Sequence, residues 1–319
     1  MNKPNLARPS SPESAKAMNE FDFQIYDVFT KSSFTGNPLA VVLDARGLTT
    51  GQMQAIAQQF NLSETVFLLP PDNPVHSARA RIFTPAYEMP FAGHPTIGAA
   101  IALAESRHGR AASQDTILVL EENVGPVRCA VTILNDGASF CEFDSPRLSQ
   151  EIAAAPSEAT VAQALGLAAE DIGFDRHRPS VYSAGAPFAY VPVKSLDVLA
   201  KAWPAAGFKA AVGDAVGMVV YARLPEDDDF SFQVRMFAPD AGVMEDPATG
   251  GAAAAFAGVL AAFEGLPEGQ CHRPILQGVE MGRRSEIALE IEVTNGALSG
   301  CRIGGHAVLT ASGRMKAPL

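Results

Sequence analysis

A strand, a loop and a small-residue helix occur twice in this chain of 319 residues, about 152 residues apart, and a duplication of that length limits the fold to one assembled from two like halves. The first copy reads Arg81-Ile82-Phe83-Thr84-Pro85, then Gly93-His94-Pro95-Thr96-Ile97-Gly98-Ala99-Ala100. The second reads Arg235-Met236-Phe237-Ala238-Pro239, then Glu245-Asp246-Pro247-Ala248-Thr249-Gly250-Gly251-Ala252. In each copy an ionisable residue, His94 or Asp246, stands directly before a proline suited to the first helical position, which pairs these two residues and predicts two helix starts whose first N–H groups lack intrahelical acceptors. The repeat extends upstream. Gly36-Asn37-Pro38-Leu39-Ala40-Val41-Val42 matches Gly185-Ala186-Pro187-Phe188-Ala189-Tyr190-Val191, each followed by a helix-like segment (Thr49 to Gln59; Ser195 to Ala206) and then a strand (Thr65 to Leu69; Met218 to Ala222).

The length suits two domains, each large enough for a core. With 47% hydrophobic and 18% charged residues the chain reads as an ordinary globular protein, and no apolar run reaches membrane-spanning length. A net charge of −11 without a basic cluster argues against nucleic acid as a partner, and no membrane association is expected. Four scattered cysteines (Cys129, Cys141, Cys271, Cys301) with no CxxC spacing predict free thiols. Residues 1–20 are rich in Ser, Pro, Ala and Asn and lack the apolar core of a signal peptide, so they read as a flexible leader of a cytoplasmic protein.

Alternation marks half-buried strands at Phe230–Met236 and Ile287–Val293, and the runs Thr116–Leu120, Val127–Leu134 and Phe140–Phe143 form a meander. The segments after His94 and Asp246 are apolar nearly all round, as in a helix buried on every side. The expected fold class is α+β, with two pseudo-symmetric domains, each a curled, mostly antiparallel sheet around a central helix. The boundaries are an N-terminal domain at 21–145, a connector at 146–180 containing a helix at Ser157–Leu165, and a C-terminal domain at 181–319 whose last strand can return to the first domain.

A buried helix must still satisfy its first N–H groups, and around Gly93 and Gly250-Gly251 the backbone is bare enough for a ligand to approach. In a chain poor in cations, a substrate carboxylate held between two helix N-termini fits better than one held by arginines. One such segment alone would read as an ordinary helix start with Asp246 as its N-cap; two matched segments read as a site. The halves differ chemically. Asn61-Leu62-Ser63-Glu64-Thr65 puts a carboxylate where a helix gives way to a strand, whereas the second half has Val216-Gly217-Met218 at the matching place. A carboxyl desolvated in a cleft can shuttle protons.

Four markers in order, Phe34-Thr35-Gly36-Asn37-Pro38, Asn61-Leu62-Ser63-Glu64-Thr65, Phe91-Ala92-Gly93-His94-Pro95-Thr96 and Glu245-Asp246-Pro247-Ala248-Thr249-Gly250, resemble the phenazine biosynthesis PhzF-like proteins, relatives of diaminopimelate epimerase by fold. The resemblance spans residues 22 to 312 and implies an interdomain active site and a homodimer. It places the catalytic carboxylate on Glu64, its acid/base partners on His94 and Asp246, and substrate-binding backbone and side chains on Gly93, Thr249, Gly250 and Gly251. Where the characterised phenazine enzyme has serine, this chain has Gly251, so a hydroxyl donor is missing. Epimerases of this fold carry a cysteine at each helix start, and these loops have none.

The motifs of dinucleotide binding, P-loops and nucleophile elbows are absent, and the remaining histidines show no metal-ligand spacing, so neither an organic cofactor nor a metal is expected. The reading is a cofactor-independent isomerase that relocates a proton on a small carboxylate metabolite through Glu64. The alternatives are a racemase or epimerase using Glu64 and Asp246, and a non-catalytic metabolite-binding protein that keeps the cleft.

Overall fold

The computed structural model describes residues 20–226 and 228–318, so the leader expected at 1–20 lies almost wholly outside the described residues. The first half contains β1 (Glu20–Val28), β2 (Asn37–Val42), α1 (Thr50–Phe60), β3 (Glu64–Leu69), β4 (Ala78–Phe83), β5 (Glu88–Met89), α2 (Gly93–His108), β6 (Gln114–Glu122), β7 (Gly125–Ile133) and β8 (Ser139–Asp144). The second contains β9 (Gln150–Ala153), α3 (Glu158–Leu165), β10 (Ser180–Ser183), β11 (Pro187–Pro192), α4 (Leu196–Lys201), α5 (Phe208–Val212), β12 (Gly217–Arg223), β13 (Phe232–Ala238), β14 (Val243–Asp246), α6 (Gly250–Phe263), β15 (Gly269–His272), β16 (Ile275–Gln277), β17 (Ser285–Thr294) and β18 (Ala297–Lys316).

The pairing makes a closed barrel of eight strands in the order β1-β2-β3-β4-β6-β7-β8-β18 and back to β1. Two of its pairings, β2–β3 and β4–β6, are parallel and the rest antiparallel. A barrel of this size has room for little more than small side chains around a helix. The sequence of α2 complies: its first twelve residues, Gly93 to Ala104, are all buried, and a Cβ at Gly98 would lie 2.5 Å from Leu39 Cδ2. The second half repeats the order as β10-β11-β12-β13-β16-β17-β18 around α6, with β9 added outside β10. Among the described residues β9 and β18 do not pair, so this second sheet is curled but open.

The twenty residues of β18 tie the halves together, pairing with β17 in the second half and with β8 and β1 in the first. One hydrophobic cluster runs through both halves and holds both central helices, and two smaller clusters lie under α1 and under α3, α4 and α5. The 146–180 segment is more than a tether. It supplies β9, which pairs with β10, and α3, whose Val161, Ala162, Ala164 and Leu165 pack into the cluster of the second half. The helix expected at Ser195–Ala206 is cut short at Lys201, because Pro204 forces the residue before it out of the helical region.

Candidate active site

The helix ends fix the correspondence between the halves, and it differs from the one the prolines suggested. α2 begins at Gly93 and α6 at Gly250, an offset of 157. The Arg81–Glu88 and Arg235–Glu245 ion pairs are matched, each with the guanidinium donating two hydrogen bonds to one carboxylate, and although the arginines are 154 residues apart the glutamates already show the offset of 157. Pro95 is the third helical residue of α2, while Pro247 precedes α6 by three residues. His94 therefore corresponds to Gly251, and Asp246 corresponds to Met89; the His94–Asp246 match is corrected. The physical reason is contact between the two helix ends. A Cβ on Gly93 would sit 2.8 Å from Gly250 Cα, and one on Gly250 would sit 3.0 Å from Gly93 Cα, so glycine is required at the crossing and the prolines fall where they can.

Strand register fixes the other correspondences. Leu39 pairs with Glu64 in parallel across β2 and β3, and Phe188 pairs with Gly217 across β11 and β12, which makes Gly217 the counterpart of Glu64. Ala186 corresponds to Asn37 by the matched Pro38 and Pro187. Ala78 pairs with Leu120 and Phe232 with Ile275, which makes Glu122 the counterpart of Gln277.

Local sequence delivers Glu64 to the cleft. Thr49 and Gln52 form a capping box at the start of α1, and Asn61 ends the helix in the left-handed region at φ 52°, so Leu62-Ser63 turn directly into β3, whose first residue is Glu64. His94 enters from the first turn of α2, and its Nε2 stands 3.3 Å from Glu64 Oε2. Neither atom has a hydrogen-bond partner among the described residues. Buried polar atoms without partners are uncommon in folded proteins, and two of them side by side single out this spot as the candidate site.

Asp246, at the end of β14, approaches from the other half. Its Oδ1 accepts from Asn37 Nδ2 at 2.9 Å and its Oδ2 accepts from Thr249 Oγ1 at 2.5 Å. Asn37 Nδ2 also donates to Ala248 O at 2.9 Å and lies 3.4 Å from His94 Nδ1. Gln277 completes the frame: its Nε2 donates to Asp246 O and Thr249 Oγ1, and its Oε1 accepts from Thr249 N. Asn37 and Gln277 were not singled out as site residues in the sequence. The signal for Asn37 was available, since the matched segments differ there as Asn37 against Ala186, the same kind of asymmetry that picks out Glu64.

Burial sets the protonation states. It pushes Glu64 up to about 8, with the Asp246 charge adding to the effect. Asp246 itself is pushed up to about 6 by burial, opposed by its hydrogen bonds from Thr249 and Asn37. Burial pushes His94 down to about 3. At neutral pH the 3.3 Å contact therefore joins a neutral imidazole to a largely protonated carboxyl and is not an ion pair. A carboxyl poised near neutrality suits proton transfer in either direction.

Gly93, Thr249, Gly250 and Gly251 come together where the two helices meet. The N–H groups of Gly93 and His94, and of Gly250, Gly251 and Ala252, lie in first turns that offer no intrahelical acceptor. A Cβ at Gly251 would meet nothing within 4 Å, so the counterpart of His94 has room for a side chain. Among the described residues no group of His, Cys, Asp and Glu could hold a metal ion, and the four cysteines are buried and free.

The family model described as phenazine biosynthesis-like protein, PhzC-PhzF, matches residues 26–313. The chain belongs to the PhzF family. It is 49% identical to an uncharacterized isomerase of Mesorhizobium japonicum, with 93% of this chain and 99% of the relative covered. It is 34% identical to the trans-2,3-dihydro-3-hydroxyanthranilate isomerase of Pseudomonas aeruginosa, with 92% and 98% covered. Among solved structures, the phenazine biosynthesis protein of the PhzF family from Bacillus anthracis superposes with a TM-score of 0.82 at 27% identity, covering 93% of this chain and 99% of that one. This PhzF-like chain is an isomerase with the α+β, epimerase-like fold, a closed barrel and a curled open sheet each wrapped around a helix.

Proposed function

We propose that the protein is a cofactor-independent isomerase that moves a proton between two carbons of a small carboxylic acid held at the meeting point of the two helix ends. The observation that carries the reading is the emptiness of the symmetry-related positions: Gly217 stands where a second Glu64 would be, and Gly251 where a second His94 would be. A two-base racemase needs a base on each face of its carbon. Here one carboxyl is free to exchange a proton, while both carboxylate oxygens of Asp246 accept hydrogen bonds within the protein.

In this reading the substrate carboxylate takes the free N–H groups at the starts of α2 and α6, where the helix dipoles favour negative charge. Glu64, ionised in the productive complex, removes a proton from one carbon and as the resulting acid returns it to another on the same face. Asp246, locked by Asn37, Thr249 and Gln277, orients the substrate and keeps the proton affinity of Glu64 high. The Pseudomonas relative acts on trans-2,3-dihydro-3-hydroxyanthranilate. The open space at Gly251 points to a different member of the same class, a cyclic or unsaturated carboxylic acid with greater bulk opposite His94.

The test is a panel of such acids incubated with enzyme in deuterated water and followed by NMR. A shifted double bond with its hydrogen partly retained is expected, and Glu64→Gln should lower turnover by about 10²–10⁴-fold, the usual contribution of a general acid/base. Unchanged turnover in Glu64→Gln would remove Glu64 from the mechanism. Exchange confined to one stereocentre with inversion would favour the racemase.

A further inference from the structure

Asn37 is fully buried at the start of β2, and its amide faces three groups at once: Ala248 O and Asp246 Oδ1 at 2.9 Å each, and His94 Nδ1 at 3.4 Å. A peptide carbonyl can only accept, so the atom of Asn37 beside Ala248 O must be the NH₂ group and the amide cannot be flipped. An amide NH₂ has no acceptor capacity. A protonated Nδ1 would set two donors against each other at 3.4 Å, whereas an unprotonated Nδ1 can accept a share of an amide N–H. The 3.4 Å separation suits this role, because two N–H bonds are shared among three acceptors.

We infer that Asn37 is a positioning residue that holds His94 as the neutral Nε2–H tautomer, so that the imidazole serves as a hydrogen-bond donor to the substrate while Glu64 alone carries the proton. Nε2 is the ring atom that faces Glu64 Oε2 and has no partner among the described residues, which is where a donor to a substrate oxygen belongs. The first turn of α2 adds to this, since the positive end of a helix dipole opposes an imidazolium. Among the described residues the second half does not repeat the arrangement: the counterparts of Asn37 and His94 are Ala186 and Gly251. The division of labour between His94 and Glu64 rests on the isomerase reading; the tautomer rests on the hydrogen-bond geometry alone.

Long-range proton–nitrogen NMR on the full chain, with isotope-labelled histidine and His94→Gln to identify the His94 signals by their loss, reads the tautomer directly. At neutral pH His94 is expected to show a protonated Nε2 and a bare Nδ1. Asn37→Asp, which replaces the donor by an acceptor, should move the proton to Nδ1, and Asn37→Ala should give a mixture of tautomers. A wild-type His94 that is Nδ1–H or doubly protonated at neutral pH overturns the proposal, and this measurement does not depend on whether the variants fold. An Nε2–H pattern unchanged in both folded variants also overturns it, by removing Asn37 as the cause. Full turnover by Glu64→Gln would sink the proton-shuttle reading yet leave the tautomer result standing, so the two failures are distinguishable.

Discussion

The two halves share a scaffold and differ in almost every reactive position. Each has an arginine holding a glutamate of the next strand, Arg81 of β4 with Glu88 of β5 and Arg235 of β13 with Glu245 of β14, and each has glycine where its central helix begins. These repeat because each barrel must brace the turn that feeds its helix and let that helix touch its partner. The working side chains do not repeat: Glu64 faces Gly217 across the pseudo-dyad, His94 faces Gly251, Asn37 faces Ala186 and Asp246 faces Met89. A duplicated frame has been used to hold one set of groups on one side. The sheets differ in the same spirit, since β8 and β18 close the first barrel while the second stays open beside β9.

The sharpest way to break the comparison is at the crossing, where the halves are alike. Gly93→Ala drives a Cβ into Gly250 backbone atoms at 2.8 and 3.0 Å, with no flexible side chain to yield. The helix ends must part, and overpacking of this kind typically costs about 1–3 kcal/mol. Denaturant unfolding should show that loss. Turnover should fall further, on the order of 10²-fold, because a small misplacement of the proposed carboxylate cradle would carry that penalty. A variant as stable and active as the wild type would show that the helices do not meet.

A second test uses Glu122, the counterpart of Gln277. Gln277 is fully employed, whereas Glu122 accepts from Thr96 Oγ1 at 2.7 Å and leaves its buried Oε2 without a partner among the described residues. Burial pushes its carboxyl from 4.5 up to about 8. The folded chain thus holds a proton that the unfolded chain releases, so this group's contribution to stability is present in full below about 4.5, declines as pH rises, and is gone above about 8. Glu122→Gln makes the halves alike here and should flatten that decline, raising the melting temperature above that of wild type at alkaline pH by more than it does below about 4.5, where both side chains are neutral. Turnover should persist, since Glu122 touches no group of the site. An identical pH profile of stability in wild type and variant would show that Glu122 is not buried as a neutral acid.

These contrasts also explain what was legible in the sequence. The paired barrels were legible because burial on all sides leaves its mark in Ala- and Gly-rich helices, and alternation marks the strands. Glu64, His94 and Asp246 were legible through the family markers, and Glu64 also through its missing counterpart Gly217. The correspondence of His94 with Asp246 was misread because proline is a local signal of helix starts, while the offset of 157 is set by a contact between Gly93 and Gly250 that no local pattern contains. Gln277 was hidden for a similar reason: it reaches Asp246 and Thr249 only because β16 pairs in parallel with β13, a long-range event.

The smallest effect on the fold is expected at Gly251, and it bears on what the second half contributes to the site. Gly251 is helical and half-buried, it has no positive φ to accommodate, and a Cβ there meets nothing within 4 Å. Gly251→Ser should therefore leave stability within ~0.5 kcal/mol of wild type, as for substitutions away from packed features, with a small gain from removing a helical glycine working in the same range. It would nevertheless add a hydroxyl at the counterpart of His94, where the proposed substrate would lie. If the open space accommodates substrate bulk, the variant should bind the bulkier members of a carboxylic-acid panel more weakly in calorimetry and the smaller ones no worse. Equal weakening across the panel would mean that the hydroxyl disturbs the carboxylate cradle itself, and no change for any acid would mean that substrates do not reach the Gly251 side of the cleft.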